Sequence, residues 1–303
     1  MNEFLQQLIN GVALGAIYGL IALGYTMVYG VLRFINFAHG DVFMLGAFAG
    51  YFLAPVVHRF FPEQSWGGAL VVLVLAMAAC SCIGVLIEFL AYRPLRGRPR
   101  LTMLITAIGV SLFIEYTCQH EAVFGAAPRK FPELIPDTAW HIGGVVLNTN
   151  QVIVFVTTGV LLLALRFIVQ KTRVGIAMRA VSFNEQAAAL MGVSINSIIS
   201  FTFGLGSALA GAGGILFALN YASIDPLMGV QTGLKAFIAA VFGGIGNLPG
   251  AALGALILGV VETFAGGIPG LSNYRDGIAF GILILVLLFR PAGLLGRVET
   301  EKV

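Results

Sequence analysis

Eight apolar runs, near residues 4–32, 42–57, 67–91, 101–121, 150–169, 197–221, 233–264 and 276–290, occupy most of this chain. A helix rises about 1.5 Å per residue, so about 20 apolar residues cross the ~30 Å hydrocarbon core of a bilayer. No water reaches an open backbone there, and only helices or closed barrels satisfy every N–H and C=O. Composition agrees with helices in lipid. Of 303 residues, 58% are hydrophobic and 10% charged, against about 25% charged in soluble domains. The 39 glycines fit the same setting, because small residues let membrane helices approach closely. The expected fold is an all-α polytopic membrane protein, a single transmembrane domain over residues 1–303 with about eight membrane segments.

Several function classes drop out early. The net charge of +3 is spread over loops with no long basic run, which argues against nucleic acid as a partner and leaves membrane lipid as the surrounding medium. Cys80, Cys82 and Cys118 lie in apolar segments and match no zinc or redox spacing. They read as small hydrophobes, and no metal site or cofactor is expected. The N-terminus, MNEFLQQLINGV, lacks the basic region of a cleaved signal peptide and reads as a retained first helix.

Basic loops orient membrane helices. YRPLRGRPR (92–100) has Arg93, Arg96, Arg98 and Arg100 and no acid, so it is assigned to the cytoplasm. Two crossings later the loop 171–196 opens with Lys171, Arg173 and Arg179 and is assigned there as well. Counting back puts the N-terminus outside, with Glu3 its only charge. The loop 122–149, which includes prolines and Trp140, is then external and long enough for structure of its own. Arg290, Arg297 and Lys302 call for a cytoplasmic C-terminus, yet two plain crossings after residue 221 would leave it outside. The run 233–264 offers the missing reversal. Gly243, Gly244, Gly246, Asn247, Pro249 and Gly250 interrupt it, and glycine with proline cannot sustain a helix there. Two shorter helices meeting at a broken or re-entrant point near 243–250 are predicted, with the break a candidate gate or cavity element at membrane depth. The alternative is a kinked single helix with an external C-terminus.

One stretch is out of keeping with the apolar runs around it. Residues 182–192 read SFNEQAAALMG. Ser182 and Glu185 have capping-box spacing, and Gly192 suits the left-handed position past a helix end. A helix of about nine residues, ~13 Å long, is too short to cross a bilayer. Phe183, Ala187, Leu190 and Met191 fall on one face of it. Such a face needs a groove to fill.

QAAALMG (186–192) resembles the EAA loop of ABC importer permeases, E-A-A, three variable residues, then G. Gln186, Ala187, Ala188 and Gly192 occupy those positions, with Gln186 replacing the glutamate and Glu185 one residue earlier. GVALGAIYGLIALGYTMVYGVLRFINFAHGDVFMLGAF (11–48), RVGIAMRAVSFNEQAAALMGV (173–193) and FGGIGNLPGAALGALILGVVE (242–262) resemble, in order, the branched-chain amino acid permeases of the LivH type. The resemblance covers essentially the whole chain. It implies an ABC importer permease fold in a bacterial inner membrane. It also implies a heterodimer with a second related permease subunit, two ATP-binding subunits and an external substrate-binding protein. The loop would be a coupling helix that docks on an ATPase; Gln186 removes any contact that needs a carboxylate but not docking by shape.

Polar residues inside apolar runs cost about 2.5–3.5 kcal/mol each when ionisable and are functional candidates. Glu88, within a turn of the cytoplasmic end, is expected to pair with Arg93 or to snorkel. Glu115 and Glu262 face the bundle interior, as structural hydrogen-bonding groups or along a polar path. Tyr18, Tyr25 and Tyr29 share a face of the first helix by their spacing of seven and four, and either line a pore or pack. In FINFAHGD (34–41), His39 and Asp41 have poor metal spacing. A tight interhelical turn held by Asn36 and Asp41 and permitted by Gly40 is expected there.

The chain has no G-x-x-x-x-G-K-[ST] loop for ATP, no H-E-x-x-H and no G-x-S-x-G. A non-catalytic permease subunit for branched-chain or other small neutral amino acids is the leading reading. Its alternatives are an ABC permease for urea or short amides and a stand-alone secondary transporter with substrate at broken helices.

Overall fold

In the computed structural model, which describes residues 2–270 and 272–296, the apolar runs become antiparallel helices. In chain order they are α1 (Asn2–Leu32), α2 (His39–Val57), α3 (Trp66–Ile87), α4 (Arg100–Gln119), α5 (Thr149–Lys171), α6 (Arg173–Phe183), α7 (Glu185–Leu190), α8 (Ile195–Tyr221), α9 (Met228–Gly243), α10 (Leu248–Gly267) and α11 (Arg275–Phe289). Among the described residues, eight helical segments are long and apolar enough to cross a membrane: α1 to α5, α8, α10 and α11. The 16-residue α9 is shorter.

Packing sorts these helices into two layers. In its most apolar stretch α1 is 89% buried and α8 78%, against 17% for both α4 and α5. α1 is therefore the central post, and the outer helices present side chains such as Phe113, Leu163 and Leu288 outward, as lipid contact requires. The inner layer is held by backbone touching backbone. A Cβ placed on Gly259 of α10 would lie 2.3 Å from the Gly15 nitrogen of α1, and one on Gly46 of α2 would lie 2.5 Å from the Gly211 Cα of α8. Without a hydrophobic drive between helices in lipid, such close van der Waals contact is what binds them.

Two irregular segments lie inside the bundle. α2 starts with His39 against Gly24, about two helical turns before α1 ends, so residues 33–38 run back into the protein. Residues 222–227 descend similarly from the end of α8, and α9 begins with Gly229 and Gly233 against Gly40. Open backbone at this depth is tolerated because protein surrounds it. The tight turn expected at 34–41 is present at 36–39, where the His39 N–H bonds the Asn36 carbonyl, but the side chains of Asn36 and Asp41 do not hold it. Asp41 is helical and accepts a hydrogen bond from Ser111 Oγ, and buried Asn36 accepts one from Tyr92 Oη at 2.6 Å. Gly40 belongs to α2; its missing side chain makes room for the Gly229 carbonyl, 2.5 Å from where a Cβ would sit.

The break at 243–250 is a hairpin end. α9 and α10 run antiparallel, with Gly254 against Ala239 and Gly243, which rules out the single kinked helix. Gly244 and Gly246 take φ of 107° and 88°, left-handed values open to glycine at little cost. Asn247 Oδ1 accepts from the Gly250 N–H at the start of α10, and Pro249 sits in that first turn, where its missing N–H costs nothing. The expected gate or cavity at membrane depth is not found there. Gly246 lies beside Gly30, near the end of α1, and residues 294–295 close the break through hydrogen bonds to the Phe242 and Gly243 carbonyls. Arg290 follows α11 at this same end; Arg297 and Lys302 lie outside the described residues.

The bundle thus has two distinct ends. One carries α6, α7, the hairpin end and Arg93 and Arg96, which reach Ser200 and Asn196 near the start of α8. The other carries the start of α1 and the segment 122–149. There strands β1 (Arg129–Lys130), β2 (Ala139–Ile142) and β3 (Val145–Asn148) form, β2 pairing with β3, and β1 pairing with β4 (Ser223–Ile224) after α8. The Gln6 amide clamps this segment to α1, donating to the Val146 carbonyl at 3.0 Å and accepting from its N–H at 2.8 Å.

Gly15→Leu is expected to force α1 off α10 at a cost of at least the ~1–3 kcal/mol typical of overpacking, seen as lost monodisperse protein in fluorescence-detected size exclusion. Gly109→Leu on α4, where a Cβ meets nothing within 4 Å, is expected to leave the elution profile unchanged.

Candidate functional site

The loop between α5 and α8 is built as a rigid bracket. Thr172 caps α6, its Oγ1 accepting from the Gly175 N–H at 3.1 Å. Met178 and Val181 bury the inner face of α6, and Ser182 Oγ donates to the Gly30 carbonyl of α1. That bond corrects the expected capping box. Ser182 is still inside α6 and its hydroxyl is engaged elsewhere, so the cap moves to Asn184, whose Oδ1 accepts from the Ala187 N–H at 2.9 Å. α7 is consequently six residues, Glu185–Leu190, instead of about nine.

Its far end is fixed as tightly. Gly192 has φ 85°, the Val193 N–H bonds the Ala188 carbonyl, and the Gly192 N–H bonds the Ala189 carbonyl. This is a Schellman stop. Only Ala188 turns inward, while Glu185, Gln186 and Ala187 are exposed. Phe183, Leu190 and Met191 are 90%, 89% and 84% exposed. Three large apolar side chains stand free on a segment that is locked at both ends.

The buried acids fall into three separate groups. Glu88, fully buried, receives both Arg93 and Arg96 and the Ser200 hydroxyl at 2.6 Å; a π-helical turn over Glu88–Tyr92 brings Arg93 back onto it. Glu115 shares the Ser111 hydroxyl with Asp41, joining α4 to α2. Glu262 on α10 accepts from Tyr18 Oη at 3.0 Å and from Lys235 Nζ at 2.7 Å. Lys235 Nζ also lies 2.8 Å from Asp276 on α11, and Arg275 Nε lies 3.8 Å from Glu262. Two cations and two anions thus tie α9, α10 and α11 together, with α1 attached through Tyr18.

Sequence reasoning had named Tyr18 and Glu262 but not Lys235, Arg275 or Asp276. Lys235 carried a usable signal, a lone charge in an apolar run. The other tyrosines do not join this cluster. Tyr25 packs edge-on against His39 and Phe237 in the core, and Tyr29 is half-buried. Gly243, Gly244, Gly246, Asn247 and Pro249 are at the opposite end, in the hairpin.

Beside the charge cluster, at the end away from α7, the protein has an open cavity of about 480 Å³. Glu262 and Arg275 form one side of it, the amides of Gln7 and Asn10 another, and Leu14 and Ile17 of α1 give an apolar wall.

The chain has relatives in sequence. Residues 7–287 match the family described as branched-chain amino acid transport system / permease component. The chain belongs to that family. The high-affinity branched-chain amino acid transport system permease protein BraD of Pseudomonas aeruginosa is 41% identical, over 99% of this chain and 98% of its own. The corresponding LivH of Escherichia coli is 40% identical over the same shares. The ribose import permease protein RbsC of Escherichia coli is 31% identical over 42% of this chain and 41% of its own. The permease is therefore a transport subunit with several membrane-crossing helices, and is not catalytic.

In this permease, Lys235 and Glu262 are 6% and 3% exposed. Lys235→Met would leave Glu262 and Asp276 without their closest cation, and breaking a buried pair from one side costs about 3–5 kcal/mol. The expected outcome is a large fall in thermal stability in detergent, with partial recovery in the double variant Lys235→Met/Glu262→Gln.

Proposed function

We propose that this permease is the membrane-spanning subunit of an ATP-driven importer of branched-chain amino acids. In the proposed assembly it pairs with a second related permease subunit and with two ATP-binding subunits, which carry out ATP hydrolysis. An external binding protein delivers the substrate. The relatives named for branched-chain amino acid transport, similar over nearly the full length, support the substrate class. The assembly sits in the bacterial inner membrane with the N-terminus and 122–149 outside, and 171–196, α7 and the C-terminus in the cytoplasm. Clustering of Arg93, Arg96, Arg173 and Arg179 at the α7 end supports that orientation.

One observation carries the coupling role, the free apolar triad of Phe183 at the end of α6 and Leu190 and Met191 at the end of the bracketed α7. A flexible loop would absorb a partner's motion. This one is capped at both ends and bonded to α1 through Ser182 and Gly30, so a displacement of α7 reaches the central helix. When the ATP-binding subunits close, α7 moves with its cleft, and α1 and α8 carry the movement to the opposite end. ATP binding then shifts the bundle between outward and inward states by its differential affinity for them.

Phe183→Glu and Leu190→Glu each place a charge where an apolar cleft is expected. Each is expected to abolish co-purification of the ATP-binding subunits from native membranes while the permease retains its Tm, because neither side chain is packed within the chain. Full retention of the ATP-binding subunits by both variants would refute docking through α7.

A further inference from the structure

The cavity at the end away from α7 has the chemistry of one ligand class. Its volume, about 480 Å³, lies in the range of small-molecule sites, about 300–1,000 Å³. Its polar side is bipolar. Glu262 is a buried carboxylate, while Arg275 is half-exposed and approaches Glu262 and Asp276 only through Nε, at 3.8 and 3.6 Å. Both separations exceed hydrogen-bond length, and Arg275 makes no hydrogen bond among the described residues. Its guanidinium fork, suited to bidentate carboxylate binding, belongs to a residue that lines the cavity. Asn10 Oδ1 accepts from Gln6 and Gln151, which orients its amide N–H groups as free donors. On the same stripe of α1 as Asn10 are the apolar Leu14 and Ile17, which also line the cavity.

We propose that this cavity is a transit site for a zwitterionic aliphatic α-amino acid. The α-carboxylate takes the Arg275 fork and the Asn10 amide, the α-ammonium takes Glu262, and the aliphatic side chain lies on Leu14 and Ile17. A simple anion would meet Glu262 and a simple cation would meet Arg275, so only a ligand with both charges on adjacent groups satisfies the site. The cavity opens beside the segment 122–149 that holds Gln6, the end at which a binding protein would unload. Because Glu262 also holds Lys235 and Tyr18, a ligand here touches the cluster that ties α1 to α9, α10 and α11. The inference rests on the importer reading above and assigns that importer's substrate a place in this chain.

The test uses the purified transporter with all its subunits in detergent and no binding protein, followed by thermal unfolding. L-Leucine at ten times its dissociation constant is expected to raise the Tm by about 3 °C. Isoamylamine and 4-methylpentanoate, each with half of the zwitterion, are expected to give no shift. Arg275→Gln is expected to lose the leucine shift. Gly266→Leu is a second variant that leaves the Lys235–Glu262 pair in place. Gly266 lines the cavity, and a Cβ there meets only Arg275 Cδ, at 3.7 Å, so the added side chain fills the site without displacing backbone; it too is expected to lose the shift, and it decides alone if Arg275→Gln fails to assemble. A leucine shift retained in Gly266→Leu, or an equal shift with either half-ligand, overturns the proposal. ATP-driven L-leucine uptake by the same complex with its binding protein in proteoliposomes separates the two readings. No uptake overturns the importer reading, and uptake without any leucine-induced Tm shift overturns the site alone.

Discussion

Everything in this permease is arranged around one close approach, that of α1 to α10 through Gly11, Gly15 and Gly259. In lipid a helix gains nothing by hiding leucine from its surroundings, so association depends on contact distance. A Cβ on Gly259 would stand 2.3 Å from a backbone nitrogen of α1, and no side chain fits. Similar contacts at Gly24 and Gly206, and at Gly46 and Gly211, seat α8 on both α1 and α2. The result is an inner layer of small residues in register, on which bulkier outer helices meet lipid.

With α1 fixed in this way, the two functional ends become mechanically related. Near one end Ser182 is bonded to the Gly30 carbonyl; about half-way along α1 Tyr18 is bonded to Glu262. Both attachments are on the same helix, which runs 31 residues. The charge cluster adds directionality, since its four charged groups come from three helices and each needs the others in place. A rigid-body displacement of α11 alters the contacts of Arg275 and Asp276 with Lys235 and Glu262 together, the behaviour expected of an element with discrete arrangements.

Legibility differed by the range of the interaction. The apolar runs, the glycine stop at Gly192 and the interruption around Gly244 were readable because each depends on residues close in the chain. The capping box at Ser182 was misread for the complementary reason. Its spacing satisfied the local rule, but a carbonyl 152 residues away took the hydroxyl, and Asn184 took over the cap. The break at 243–250 was placed correctly along the chain and wrongly in depth. Backbone that turns at a helical hairpin and backbone that lines a cavity use the same glycines and proline, and residues 294–295, distant in sequence, decide which it is.

By itself the sequence determined that this chain lives in lipid, roughly where its long helices lie, and that a short, mostly exposed helix ends at Gly192. These follow from hydropathy, capping and backbone conformation, which act over a few residues. Only the tertiary structure decided which helices are central, since α1 and α4 are both apolar enough to span yet differ in burial from 89% to 17%. It also decided that Lys235 meets Glu262, that Arg275 lines a cavity, and that Gly40 makes a helix contact. Those outcomes depend on which glycine surfaces meet across the bundle and on where unlike charges can neutralise one another out of water, and neither is encoded in local spacing.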